Sequence, residues 1–557
     1  MYCTYCGAPC SGDEMFCPGC GSPLQAEGGM TDVPPSVPPA SEEGPPSPPE
    51  EAQVHTAVLP VLRLPRLSRR ARRACLALLV LLAAAGAMLA LRPRPAPDFS
   101  LSRQHYGLVA SGDAQALYRD GEEIVLPDGD TAWYLLPSYT GEGALLTGAS
   151  QLYALWGGTS LPLHVEESRL LNLACSMDGR VVCYTTDGDG LLYFDAARNQ
   201  TFCLWEDGAA LLSGPVLSPS GDTLAFSAAG EDGEATLFLS RDGGEPRPVM
   251  TDAVPAAVSD GGEYLYYSRS ASDPNNGQMD DLYVRSGASS ILLASQWSGD
   301  LVLNRDGSEA IYTTPSCGVF LTRQGSGGIL LDRDLSFLSP IPPQASIFNT
   351  MIFSRAWYFD VTHLTGRFCV GYGSGETLCY LTEDGEAQSL EFDLLRYSLA
   401  SPDGQTLYCL DSTHLFRLQA GHLEEPEPLL PDTLVDDFAL SPDGKSLFVR
   451  AMNGELYRLI PGREAELLDS GLLSWQMSPD RKQLWYQKEE GGLLYACTWS
   501  GAPAALMEAD RYSPFCGGMA AYTSDGRVWY APSGGALAPL TDHTGAPQTY
   551  SNVIYED

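Results

Sequence analysis

The sequence predicts an all-β protein, a β-propeller of four-stranded blades, preceded by a small metal-stabilised module and one apolar helix. Three observations carry the propeller. A Ser-Pro-Asp-Gly turn recurs about every 40 residues, each copy is followed by a short apolar strand, and a second Gly-containing turn leads into a strand ending in Leu-Tyr or its equivalent. The clearest copies are LSPDGKSLFV at 440–449, ASPDGQTLYC at 400–409, MSPDRKQLWY at 477–486, LSPSGDTLAF at 217–226, VSDGGEYLYY at 258–267, CSMDGRVVCY at 175–184 and LNRDGSEAIY at 303–312.

Each residue of the turn has a role. Ser opens it and bonds the backbone ahead, Pro presets φ at the first corner, Asp fits the second, and Gly relieves strain at the exit. In the strand that follows, alternation predicts Leu447 and Val449 on one face and Phe448 and Arg450 on the other. The triplet Gly444-Lys445-Ser446 is therefore read as a hairpin turn. A phosphate loop needs glycine five positions before Gly444, where Ala439 stands, and it opens a helix rather than a strand.

One unit is strand, turn, strand, Gly turn, strand and outer strand, and ring closure protects the exposed sheet edges. A gap of two periods between 306 and 403 holds a degenerate copy at 366–386, and 106–121 and 143–158 are worn copies. Because propellers commonly have four to eight blades, the expectation is one ring of about eight, with two smaller rings as the variant. The segment 332–357 breaks the period and is where a second ring would begin. The repeats resemble the WD40-like propeller repeat of the TolB type, which implies fold and no particular activity.

The N-terminal module, residues 1–24, is predicted from Cys3, Cys6, Cys17 and Cys20, two Cys-x-x-Cys pairs followed by Gly7 and Gly21. Four thiolates on two tight turns suit one tetrahedral, structural Zn2+, and so short a segment needs a metal to fold. Cys10 fits neither pair. The segment resembles the short zinc ribbon at the N-terminus of many bacterial membrane proteins.

Residues 25–73 read as a Pro-rich, disordered linker (Asp32 to Glu51 is the densest part) ending in a basic juxtamembrane stretch with Arg63, Arg66, Arg69, Arg70, Arg72 and Arg73. Residues 74–91 carry no charge. At ~1.5 Å per residue they are just long enough for a transmembrane helix. The upstream arginines outnumber Arg92 and Arg94, which predicts a single-pass protein in the cell membrane with a cytoplasmic N-terminus. Thiolate ligands in a reducing compartment agree with that orientation. Residues 99–557 then form the extracytoplasmic propeller.

The formal charge is −37, and the first 98 residues contribute almost none of it. Such acidity disfavours nucleic acid, and residues 1–62 hold no Lys or Arg. The sequence shows no Gly-x-Ser-x-Gly elbow and no His-Glu-x-x-His, and the repeats run nearly to Asp557 without an appended hydrolase domain. Catalytic residues are not assigned. The acidic stretch 187–195 reads as turns rather than a calcium loop, because it lacks the remaining oxygen ligands. The insertion DPNNGQMDD at 273–281 is the candidate contact loop. Aromatic pairs such as Trp485-Tyr486 read as blade packing. Cys369 and Cys379 are expected opposite one another across a hairpin, Cys175 and Cys183 similarly, and both pairs read as buried thiols. The function expected is a membrane-anchored binding or scaffolding module for a protein, peptide or glycan. The alternative is a cell-envelope enzyme with its site in the propeller funnel.

Overall fold

The computed structural model describes residues 105–548 apart from 112–113, 164–169, 187–189, 207–210, 230–233, 274–276, 298–299, 315–317, 342–346, 349–355, 360, 373–375, 391–395 and 545. The predicted zinc ribbon, linker and membrane span lie outside these residues. Among the described residues no helix is long and apolar enough to cross a membrane.

The described chain is all-β, and its strands group into eleven sheets. Blade 1 holds Tyr106–Ser111, Ala114–Arg119 and Glu122–Ile124, with Ala546–Gln548 from the other end of the chain as its fourth strand. Blades 2 to 11 follow in sequence order at 132–163, 170–205, 216–251, 254–297, 301–332, 337–390, 397–428, 435–469, 474–508 and 511–544. Ten sheets have four strands; blade 6 has six.

The count corrects the expectation of about eight blades. Worn candidate copies were present in the sequence but were discounted against the usual four to eight blades, and some have turns that differ from the motif. Blade 11 joins Arg511–Phe515 to Gly518–Tyr522 through Cys516 and Gly517, at φ +46° and +73°. Positive φ at both central residues is the two-residue hairpin solution, which needs no Ser-Pro-Asp-Gly.

The apolar clusters bear on the question of two rings. Among the described residues there are eleven, and each joins consecutive blades. The circuit closes where Val109 and Tyr118 of blade 1 pack with Phe515, Val528 and Tyr530 of blade 11. Antiparallel pairing of Ala546–Gln548 with Tyr106–Ser111 completes the closure. One circuit of eleven replaces the two-ring variant.

The segment that breaks the period does not start a new ring. Phe337–Pro340 is the first strand of blade 7, and the chain then adds Ile347–Phe348 and Ala356–Phe359 to the inner edge of blade 6. Ala356–Phe359 lies parallel to Leu301–Asn304. Its return is strapped to the blade 6 turn. Buried Glu309 accepts the Leu364 N–H at 2.7 Å and lies 3.1 Å from His363 Nδ1, and the Asn304 side-chain amide donates to Thr362 O at 2.7 Å. Ala356 and Tyr358 of this addition share one apolar cluster with blades 5 and 6, buried Met177 of the blade 3 turn and half-buried Tyr139 of the blade 2 turn.

The recurring turn works as its residues predict. In blades 3, 9 and 10 the hydroxyls of Ser176, Ser441 and Ser478 donate to the Asp two residues on at 2.6, 2.6 and 2.7 Å. The same oxygens accept the N–H five residues ahead, closing the hairpin. Blade 6 substitutes Asn304, whose amide oxygen accepts the Glu309 N–H at 3.0 Å. Gly444 has φ +71° and stands where a Cβ would come within 2.7 Å of Pro402 in the previous blade. Glycine is required there by both conformation and contact. Tyrosines reach back over these turns: Tyr193 donates to Gly221 O, Tyr266 to Gly307 O and Tyr408 to Gly444 O, at 2.9, 2.9 and 3.2 Å. The Gly-Lys-Ser triplet is thus a blade turn. Leu447 and Val449 face blade 8 and Phe448 faces blade 10, as the alternation predicts.

Candidate functional site

The predicted zinc ligands Cys3, Cys6, Cys17 and Cys20 lie outside the described residues. Among the described residues, no group of three or more His, Cys, Asp or Glu is placed to hold a metal ion. In the stretch read as turns at 187–195, Asp195 caps its own turn, accepting the Ala197 and Arg198 N–H groups. The tip of the candidate contact loop at 273–281, residues 274–276, lies outside the described residues; the strands that flank it, Tyr264–Asp273 and Gly277–Ser286 of blade 5, are the longest of the described residues. On these strands Tyr267 and Tyr283 stack at 5.3 Å, with the Arg269 guanidinium 5.7 Å from each ring.

Cys369 and Cys379 are directly opposite, as expected. Cys175 pairs instead with Val182 and Cys183 with Ala174, so that second pair is one step out of register. The observed pairs centre the hairpin between Asp178 and Gly179, whereas Cys175 and Cys183 would be partners only about a centre at Gly179 itself. All four thiols are free.

A constellation of polar and aromatic groups lies on the first strands of blades 8 to 11. In each blade this strand begins four to six residues before the turn serine or its equivalent, so the loop entering it delivers side chains to one rim. Blade 8 contributes Arg396 and Tyr397, blade 9 Asp436, Asp437 and Arg450, blade 10 Ser474 and Trp475, and blade 11 Tyr512. Arg450 comes from the second strand of blade 9, in register with Asp437.

These groups hold one another across blade boundaries. Asp436 pairs with Arg450 and lies 3.6 Å from Arg396. Asp437 accepts the Trp475 indole N–H at 2.8 Å. The Arg450 guanidinium carbon stands 5.7 Å from the centre of the Trp475 ring. A guanidinium thus lies on an aromatic face, with both partners tied by carboxylates. The Ser474 and Tyr512 hydroxyls are 2.9 Å apart, and Tyr397 packs on Phe438 with centres 5.1 Å apart. Leu434, Leu473 and Tyr397 are exposed at this rim.

Burial pushes the Tyr512 hydroxyl up to about 12, opposed by its bond with Ser474 and by the charge of Arg450. Burial likewise raises Tyr397, opposed by Arg481. Both hydroxyls stay protonated near neutral pH and serve as hydrogen-bond donors. The described histidines with carboxylate neighbours lie elsewhere, His105 beside Asp120, His363 beside Glu309 and His414 beside Asp411.

Sequence reasoning assigned aromatics such as these to blade packing and passed over the site. The available signal was a charged or aromatic residue shortly before each turn, as in LVDDFALSPDG and LLSWQMSPD. Alternation alone cannot separate it from an interface residue.

No family model matches the chain, and no curated protein matches it. Among solved structures it is similar to a eukaryotic initiation factor (9% identity, TM-score 0.35, covering 72% of this chain and 96% of that one). It is also similar to the tricorn protease (11%, 0.22, covering 71% and 46%) and to a putative TolB from Agrobacterium tumefaciens (16%, 0.25, covering 41% and 82%).

Proposed function

We propose that this protein is a membrane-anchored binding or scaffolding module whose propeller holds a protein, peptide or glycan on the rim of blades 8 to 11. The observation that carries the reading is Arg450 held over Trp475 while Asp436 and Asp437 fix the pair. Residues so tied lose little further freedom on binding, which favours affinity. Aromatic and arginine side chains are also the usual anchors of interfaces.

In this reading residues 74–91 span the membrane, residues 99–557 stand outside the cell, and Cys3, Cys6, Cys17 and Cys20 hold one structural zinc on the cytoplasmic side. The four-thiolate donor set suits zinc and leaves no open coordination position.

The test is capture of partners by the full-length chain from a cell-envelope extract, alongside Trp475→Ala and Arg450→Ala. The expected result is a partner retained by the wild type and lost by at least tenfold in either variant, with melting cooperativity kept. Retention of the same partner by both variants would remove the rim from the proposal.

A further inference from the structure

We propose that Arg481, at the turn of blade 10, is the core of an anion site that takes a single carboxylate group. The starting point is an exception in the repeat. The corresponding turn position is Gly179, Gly221, Gly307, Gly404 and Gly444 in blades 3, 4, 6, 8 and 9, all at positive φ. Blade 10 has Arg481, at φ +54°. Arginine in the left-handed region is strained, and such strain persists where the surrounding structure or a function maintains it.

Its side chain is also unusually placed. Arg481 is only 5% exposed. Its Nε has no hydrogen-bond partner, and Nη1 makes one long contact, 3.4 Å, to Leu440 O of blade 9. Among the described residues no carboxylate lies within ion-pair distance. Asp480 is adjacent in sequence but otherwise engaged: it accepts from Ser478 at 2.7 Å, from the Lys482 N–H at 3.2 Å and from Ser533, with Lys482 Nζ 3.3 Å away. The backbone of Arg481 is pinned separately, its carbonyl accepting the Trp499 indole N–H. A buried guanidinium with its fork unfilled is costly, and an anion that completes the fork offsets the cost.

Tyr397, on the first strand of blade 8, is the neighbouring residue: the Arg481 charge opposes the burial that raises its hydroxyl, the Asp437 charge adds to that rise, and its ring packs on Phe438 with 42% of the residue exposed. With that carboxylate nearby, in a chain of net charge −37, a dianionic phosphate meets more repulsion than a singly charged carboxylate. The carboxylate could be the free end of a peptide or that of an acidic sugar. The inference shares Tyr397 and Asp437 with the rim of blades 8 to 11, but its test reads Arg481 alone, so loss of the acetate shift in Arg481 variants is distinct from loss of a partner in the Trp475 and Arg450 variants.

The experiment follows the melting temperature of the full-length chain in sodium acetate and in sodium chloride at equal ionic strength. It is repeated with a short peptide carrying a free or an amidated C-terminus, and with glucuronate against glucose. The expected result is a rise of about 1–2 °C in acetate at roughly tenfold above its dissociation constant. The free-acid peptide or glucuronate then gives the larger rise and identifies the source. Arg481→Gly, which restores the residue of the sibling turns, is expected to abolish the rise and to melt above wild type without carboxylate. Arg481→Met, which keeps most of the stem, must abolish it too. No acetate shift in the wild type, or the same shift in both variants, would overturn the proposal.

Discussion

The Tyr358 hydroxyl receives the Val258 N–H at 3.0 Å and donates to Val258 O at 2.9 Å, so two residues a hundred positions apart exchange a reciprocal pair of hydrogen bonds. Tyr358 lies on the strand added to the inner edge of blade 6, and Val258 on the first strand of blade 5. Both are fully buried. One phenol satisfies a backbone donor and acceptor that a neighbouring strand would otherwise have to meet. It locks the inner addition across a blade boundary.

Tyr358→Phe keeps the ring and removes both bonds. A buried amide and carbonyl are left without partners, at a cost of about 1–3 kcal/mol each. The expected outcome in denaturant unfolding is a lower midpoint with an unchanged slope. A midpoint equal to wild type would mean that water replaces the hydroxyl.

The turn glycines differ in what surrounds them, which allows a paired comparison. Gly444 and Gly462 have φ +71° and +80°, but a Cβ at Gly444 meets Pro402 whereas one at Gly462 meets nothing within 4 Å. Gly462→Ala is expected to cost only the left-handed strain, about 1 kcal/mol. Gly444→Ala adds a clash at the blade 8 to blade 9 contact and should cost at least ~1 kcal/mol more. Equal thermal shifts for the two variants would show that blade turns do not bear on one another.

These turns also show how much was legible in advance. Ser176, Ser401, Ser441 and Ser478 stand in copies of one motif, and the blades they open were visible from spacing alone. Blade 11, turned by Cys516 and Gly517, has no such mark. Blade 2 turns through Ser138 to Gly143 without the Asp-Gly step. Blade 2 showed only as the worn copy at 143–158, and blade 11 lacks the first turn, so neither could be counted as a full blade from its motif. The inner addition was visible as a break in period, but its destination was not, because pairing of Ala356–Phe359 with Leu301–Asn304 is a non-local contact that no local pattern encodes. The rim escaped notice for a related reason: Asp437 and Trp475 meet only when blades 9 and 10 are side by side.

Stability is expected to fall at both ends of the pH scale. On the acid side, burial works to raise Asp443 and Asp480, but hydroxyl bonds from Ser441 to the one and from Ser533 and Ser478 to the other outweigh it and leave both carboxyls lowered. A carboxyl lower in the folded state contributes stability above its unfolded pKa, near 4, and loses it as pH falls through the folded value. On the alkaline side, burial pushes Tyr408 up to about 12 and Cys497 up to about 11. A group raised in the folded state contributes fully below its unfolded pKa and loses that contribution as pH climbs. Melting temperature should be flat near neutrality, drop below about pH 4, and drop again from about pH 9 to 12. A flat profile through pH 11 would contradict the burial of these groups.

The thiols provide a separate test of the same cores. Cys369 and Cys379 are cross-strand partners in blade 7 and both are buried, in the apolar contact with blade 6. Burial pushes the Cys379 thiol up to about 11 and the Cys409 thiol, in the contact between blades 7 and 8, up to about 12. Only thiolate reacts with iodoacetamide, so each raised pKa slows alkylation beyond the effect of steric shielding. Cys203 is exposed. Mass-spectrometric mapping of the native full-length chain at pH 8 should find Cys203 alkylated early while Cys369, Cys379 and Cys409 remain unmodified until denaturant opens the blades. If their labelling instead matches that of Cys203, the contacts on either side of blade 7 open readily, and the circuit is not continuous there.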